Sequence, residues 1–284
     1  MSDLIESKRV LLAVLAHPDD ESFGMGGTLA LYASQGMAVH LICATRGEVG
    51  EVDVKYLQGF NSIAERRESE LRCAAGHLRL AGVHFLGYRD SGMAGSPDNQ
   101  HPQALAAQPV EQVAREVMEY IRKLRPQVVV TFDPIGGYKH PDHIAIHQAT
   151  VQAFRMAADA SITSDYPPHQ ASKLYFHIIP KGFLRLGVRM LRLFGQDPRR
   201  FGQNKDIDLV ALIEEGDFPT HAVIEYGKVA RAAEQAAACH ASQGGERMAN
   251  GPARWIQRLL GLRDQFMRAY PEPVPGTVEK DLFA

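Results

Sequence analysis

Two short runs of this chain bring imidazoles and carboxylates close together: His17-Pro18-Asp19-Asp20-Glu21 and Tyr138-Lys139-His140-Pro141-Asp142-His143. Histidine nitrogen and aspartate oxygen both bind divalent metals, and three protein ligands with one open position is the pattern of catalytic rather than structural zinc. His17, Asp20 and one histidine of the second run make such a set. A metal held there lowers the pKa of bound water to about 7 and polarises a carbonyl. Asp19, beside Asp20, is left free as a general base toward that water. Singly, each run also reads as a proline turn with helix-capping aspartates; together they point to one shared metal. Pro141 suits a first helical position, which makes His140 the N-cap and places His143 in the first turn. His147 shares a helix face with His143 but lies a turn deeper, ~6 Å along the axis. The spacing therefore predicts His143 as ligand, His140 at the pocket lip, and His147 as packing or support.

The elements that must hold these runs alternate strand and helix. Short apolar stretches at 10–16, 38–44, 83–86 and 128–132 read as strands, the first continuous enough to be buried on both faces. Further strands are expected at 174–179 and 222–225. Helices are expected at 28–33, where a glycine cluster leads in, at 62–80, from Pro109 to 124, from Pro141 to 158, and at 228–241 and 252–269. The segment 271–275 reads as extended and exposed. Such alternation implies βαβ units and an α/β fold, a doubly wound and mainly parallel sheet with helices on both faces. Each polar cluster follows a strand, and ligands of such sheets bind outside the carboxyl ends of the strands where the order reverses. A strand order 3-2-1-4-5 makes the two His/Asp runs face each other across one crevice.

The chain has 284 residues, 45% hydrophobic and 23% charged, with net charge −2. That is a soluble globular composition, with no electrostatic reason to bind nucleic acid and no apolar run approaching the ~20 residues of a membrane span. One domain over 1–284 is expected, with a core at 1–160 carrying both motifs and a less regular, decorated C-terminal half at 161–284. The N-terminus shows no signal-peptide pattern. Cys43, Cys73 and Cys239 are odd in number and form no C-x-x-C, so reduced thiols and a cytoplasmic location are expected. Gly24-Met25-Gly26-Gly27 is not the dinucleotide fingerprint, and the acidic run before it would repel a pyrophosphate. A basic amphipathic helix is expected at 181–194, carrying Lys181, Arg185, Arg189 and Arg192 on one stripe. It suits a membrane surface less well than packing over the sheet or at an oligomer interface.

AHPDDESFGMGGTLA together with GGYKHPDH resembles the LmbE-like/PIG-L family of zinc-dependent N-acetylglucosamine deacetylases, and FLGYRDSGM looks closest to its mycothiol-pathway deacetylase and conjugate-amidase branch. The likeness runs to about Phe154 and resumes weakly at Cys239-His240-Ala241-Ser242-Gln243. It implies a Rossmann-like fold, with zinc on His17, Asp20 and His143 and Asp19 as base. It further implies that His140, kept protonated and oriented by Asp142, stabilises the oxyanion. Tyr138 would assist at the acyl oxygen, and Arg67 and Asp90 would grip sugar hydroxyls. Read from the residues alone, Arg67 among Glu65, Glu68 and Glu70 is a solvated salt-bridge face, and Asp90 caps a turn. The expected reaction is hydrolysis of an N-acetyl or small N-acyl group from a glucosamine conjugate, a small-molecule substrate. An amidase of a thiol-sugar conjugate and a noncatalytic carbohydrate-binding relative are the alternatives. Ferrous iron fits the same ligands as zinc, and a homo-oligomer is left open.

Overall fold

Val10–Leu15, six apolar residues without a charge, form β1 at the middle of a seven-stranded sheet. This is a computed structural model, and it describes residues 8–201, 207–215, 217–250, 258 and 261–284. The other strands are β2 (Ala38–Thr45), β3 (Gly82–Tyr88), β4 (Val128–Phe132), β5 (Lys173–Ile178), β6 (Ala222–Glu225) and β7 (Arg263–Tyr270), in the order β3-β2-β1-β4-β5-β7-β6. The first five run parallel in the anticipated 3-2-1-4-5 order. β7 and β6 extend the sheet antiparallel to β5 and to each other. β1 lies between β2 and β4, so the chain leaves β1 and β4 in opposite senses at a switch point, and both His/Asp runs follow there.

The helices are α1 (Asp20–Ser34), α2 (Ile63–Leu78), α3 (Val110–Leu124), α4 (Gly136–Lys139), α5 (Pro141–Ala158), α6 (Lys181–Leu193), α7 (Leu209–Glu214), α8 (Ala230–Cys239) and α9 (Gly245–Asn250). α1, α2 and α8 pack against one another, and α3 lies along α5. One apolar core joins both halves of the chain, from Leu11 and Val130 to Ala236, Phe266 and Leu282. Buried Arg122 of α3 donates to the carbonyls of Met156, Ala157, Asp159 and Ile162, satisfying acceptors that the end of α5 leaves open.

Three expectations are corrected. α1 begins at Asp20 and runs through the glycine cluster, with a kink at Met25. Gly27 is there because the ring of Tyr226 occupies its side-chain space: a Cβ would sit 2.2 Å from that ring. Of the helix expected at 252–269, residues 252–257 and 259–260 lie outside the described residues, and 263–270 is strand. Asp264 and Phe266 are buried while the residues beside them are not, a period of two. The reduced-thiol expectation also fails, because Cys73 of α2 and Cys239 of α8 form a disulfide and Cys43 alone is free. α6 packs through Val188 onto Leu209 and Leu212 of α7, leaving Leu193 and Phe194 76% and 71% exposed. Among the described residues no helix is long and apolar enough to cross a membrane.

Candidate active site

The loops leaving β1 and β4 bring His17, Asp20 and His143 into one buried cluster. His17 Nδ1 and His143 Nε2 are 3.2 Å apart. Asp20 Oδ2 stands 3.5 Å from His17 Nδ1, and Asp20 Oδ1 stands 3.3 Å from His143 Nε2. Ligand atoms about 2.0–2.1 Å from a tetrahedral zinc stand roughly 3.3–3.4 Å from one another; the two histidine nitrogens are near that spacing, and Asp20 turns a different oxygen to each. The outer nitrogens set the tautomers. His143 Nδ1 donates to the Gly136 carbonyl at 3.1 Å, and His17 Nε2 donates to Asp142 Oδ2 at 3.0 Å, so in the neutral rings the lone pairs fall on the inner nitrogens. Burial opposes charge on His17, but Asp90, Asp142 and Asp20 outweigh it and raise its pKa well above the usual value. Burial likewise pushes Asp20 upward, yet the His143 and His17 rings hold its carboxyl well below the usual range. The cluster is arranged around a positive charge.

Asp19 sits beside this cluster with φ 130°, a backbone region that side chains rarely adopt. Its carboxylate accepts from Arg67 Nη2 at 3.1 Å, and the same guanidinium donates to the Pro18 and Gly47 carbonyls. Burial lifts the Asp19 pKa to about 6, with Arg67 opposing the rise and Asp20 adding to it. Arg67 is therefore not on a solvated face; it is 4% exposed and lies on the buried stripe of α2 with Ala64, Leu71, Ala74 and Leu78. Gly47 has φ +68°, and a Cβ there would meet Arg67 Nη1 at 2.2 Å, so only glycine lets the guanidinium reach Asp19.

His140 caps α5, as the spacing predicts, and its Nδ1 accepts from the Asp142 amide at 3.2 Å. Its ring centroid is 4.5 Å from that of His17 and 5.0 Å from that of His143. Burial first, then the charges of His17 and His143, hold its pKa well below the usual value. The expectation puts the Asp142 carboxylate in service of the His140 ring. The fully buried Asp142 carboxylate instead accepts from the Ser91 amide at 2.9 Å, from the Ser91 hydroxyl and from His17 Nε2. A neutral His140 whose Nδ1 is an acceptor carries its proton on Nε2.

Asp90 does cap a turn, accepting from the Gly92 amide at 2.8 Å, and its Oδ1 also stands 3.5 Å from His17 Nε2. The Tyr138 ring meets His143 edge-on at 4.9 Å and packs against the α6–α7 cluster. His147 donates Nδ1–H to the Phe132 carbonyl and packs on Phe176, which makes it a support for β4 and β5. Ser91 was not anticipated. Nor was the buried pair Glu21–His240, with Glu21 Oε1 2.7 Å from His240 Nε2, or Glu70, which accepts from the Ser242 amide and hydroxyl. Glu21 follows Asp20 directly and the Ser242 segment belongs to the weakly resembling tail, the only sequence signals these residues carried.

A family model described as PIG-L, GlcNAc-PI de-N-acetylase, matches residues 12–154. The chain is 38% identical over 292 residues to a 1D-myo-inositol 2-acetamido-2-deoxy-alpha-D-glucopyranoside deacetylase of Thermobifida fusca, covering 97% of this chain and 99% of that one. Two solved structures share the fold at a TM-score of 0.61. One is N,N'-diacetylchitobiose deacetylase from Pyrococcus horikoshii, 18% identical, covering 92% of this chain and 84% of that one. The other is GalB, the 4-carboxy-2-hydroxymuconate hydratase of Pseudomonas putida, 19% identical, covering 94% and 99%. A hydratase and a deacetylase on one fold mean that the reaction must be argued from the site.

Proposed function

The chain belongs to the PIG-L family of de-N-acetylases, and from that premise we propose that it hydrolyses the N-acetyl group of a glucosamine conjugate, releasing acetate and a free amine. The observation that carries this reading is the set of inward donors on His17, Asp20 and His143, mutually 3.2–3.5 Å apart beside a carboxylate that nothing in the ligand set requires, Asp19. Zinc is the ion we assign to that set, ferrous iron being the competitor. Bound there, zinc supplies Lewis acidity to the amide carbonyl and acidifies a water.

Asp19, with a pKa lifted to about 6, takes the proton of the attacking water. Water oxygen adds to the carbonyl carbon, the carbon–nitrogen bond breaks, and the departing nitrogen takes the proton that Asp19 holds. His140 donates its Nε2–H to the acyl oxygen as negative charge develops there, a neutral donor rather than an imidazolium. Tyr138, across the His143 ring, is assigned to the same oxygen. Asp142 and Ser91 hold His17 in its ligating tautomer. Arg67 orients Asp19, which leaves Asp90 as the closer candidate for a sugar hydroxyl. The cytoplasm remains our proposed compartment, and the Cys73–Cys239 bond is the observation that weighs against it.

The test is acetate release from N-acetylglucosaminides of varied aglycone, by zinc- and iron-loaded protein. Release that depends on the acetyl group and tolerates a range of aglycones supports the proposal. Cleavage only of a larger thiol-sugar amide would transfer the site to an amidase, and binding without turnover would make the chain a sugar-binding relative.

A further inference from the structure

The left-handed peptide at Asp19 is pinned by groups outside the ligand set. Its amide donates to Glu21 Oε2 at 3.0 Å. Its carbonyl accepts from the amides of Ser22 and Phe23 at 3.0 and 2.9 Å, which start α1. Glu21 is itself fixed: Oε1 accepts from the Ser22 hydroxyl at 2.5 Å and stands 2.7 Å from His240 Nε2. Both Glu21 and His240 are 0% exposed. His240 Nδ1 is buried with no hydrogen-bond partner among the described residues, so Glu21 is what orients this ring. His240 follows Cys239, which the disulfide ties to Cys73 on α2, the helix that also carries Arg67. Asp19 is thus held from two sides, its carboxylate by Arg67 and its amide by a chain that begins at His240.

A buried carboxylate and imidazole so far from water are costly unless their hydrogen bonds are made. Apolar residues would fill the space between α1 and α8 without that cost. What the polar pair adds is an acceptor at one defined point, the Asp19 amide. We infer that Glu21 and His240 are positioning residues for Asp19: His240 Nε2–H fixes the Glu21 carboxylate, and Glu21 fixes the left-handed Asp19 peptide that aims its side chain past the Asp20 ligand. Among the described residues, the side-chain hydrogen bonds of the pair reach Asp19 and Ser22 and none of His17, Asp20 or His143. This rests on the assignment of Asp19 as base, and it places the C-terminal segment around His240 in the service of a loop whose Glu21 lies 219 residues earlier in sequence.

The experiment compares His240→Ala, His240→Gln and Glu21→Gln with the wild type, by zinc content, melting temperature, steady-state kinetics on an N-acetylglucosaminide, and the crystal structure of each. His240→Ala removes the donor; His240→Gln keeps an N–H at about the same reach. Expected for His240→Ala is one zinc per chain, KM within about twofold, kcat lowered about 10–100-fold, the scale of groups that orient active-site residues, and an Asp19 φ that leaves the positive region. His240→Gln should recover most of the rate and the Asp19 conformation. An unchanged kcat in His240→Ala, a loss that merely follows lost zinc or lost folded protein, or an Asp19 φ that stays near its wild-type value would overturn the inference. If His240→Ala does not fold, His240→Gln and Glu21→Gln decide it: a kcat drop in either with zinc retained supports the chain, and a loss only with unfolding overturns it. If the wild type releases no acetate, the functional proposal fails on its own, and the Asp19 φ in the variant crystals still settles whether the pair positions it.

Discussion

Substituting Asp142 by Asn separates two accounts of the second motif. The Asp142 carboxylate is fully buried, with Oδ2 shared by the Ser91 amide at 2.9 Å and His17 Nε2 at 3.0 Å, and Oδ1 taken by the Ser91 hydroxyl. An asparagine amide cannot face the two donors at Oδ2, so its NH2 must turn toward Ser91, whose hydroxyl can rotate to accept. The carbonyl oxygen then still receives His17 Nε2–H, and the fold survives. What is lost is a full negative charge behind His17, the proposed metal ligand. Removing such partners costs ~10–100-fold in metal affinity, or about 1.4–2.7 kcal/mol. Competition for zinc against a chromophoric chelator at fixed pH measures this directly, with His140→Ala as the control. Asp142→Asn should weaken zinc by that factor while His140→Ala leaves it within about twofold. Zinc affinity unchanged in Asp142→Asn, with only the rate reduced, would refute the reasoning and return Asp142 to His140.

Asp19→Asn should keep zinc and lose ~10²–10⁴ in kcat; because burial lifts the Asp19 pKa to about 6, its base form is lost as pH falls through that value, so the wild-type rate should drop on the acid side. A persisting rate in Asp19→Asn would remove it as the base. Gly47→Ala forces a Cβ against Arg67 at 2.2 Å in a left-handed backbone; it should cost roughly 1–2 kcal/mol of stability for the backbone alone and lower kcat by displacing Arg67. Differential scanning calorimetry and kinetics check the two halves, and a wild-type kcat would show that Arg67 does not act through Asp19. Thiol titration of unfolded, unreduced protein should find one of the three cysteines, Cys43, and all three after reduction. Three thiols before reduction would dissolve the α2–α8 tie.

What the sequence made legible was local. The uninterrupted apolar run of β1 announced a strand buried on both faces, and the polar clusters after β1 and β4 announced a site at the switch point. His140 at the N-cap followed from Pro141 alone. The errors are contacts between residues far apart in the chain. Ser91 meets Asp142 across 51 residues, and Glu21 meets His240 across 219. No periodicity encodes such pairs. Arg67 is different, because its spacing of three from Ala64, four from Leu71 and seven from Ala74 already put it on the inward stripe of α2. Glu65 and Glu68 point elsewhere on the helix, while Glu70 shares the buried stripe and receives Ser242. β7 was hidden because its buried pair, Asp264 and Phe266, includes a carboxylate that receives Thr28, so the alternation did not read as apolar against polar.

The claim on which the rest depends is that one divalent ion on His17, Asp20 and His143 enables amide hydrolysis. Zinc titrated into metal-free protein, with acetate release measured at each addition, tests it most directly. The account predicts no release without metal, a linear rise that breaks at one zinc per chain, and no rise at all in His143→Ala. Acetate release by metal-free protein, or a His143→Ala variant that titrates like the wild type, would contradict it.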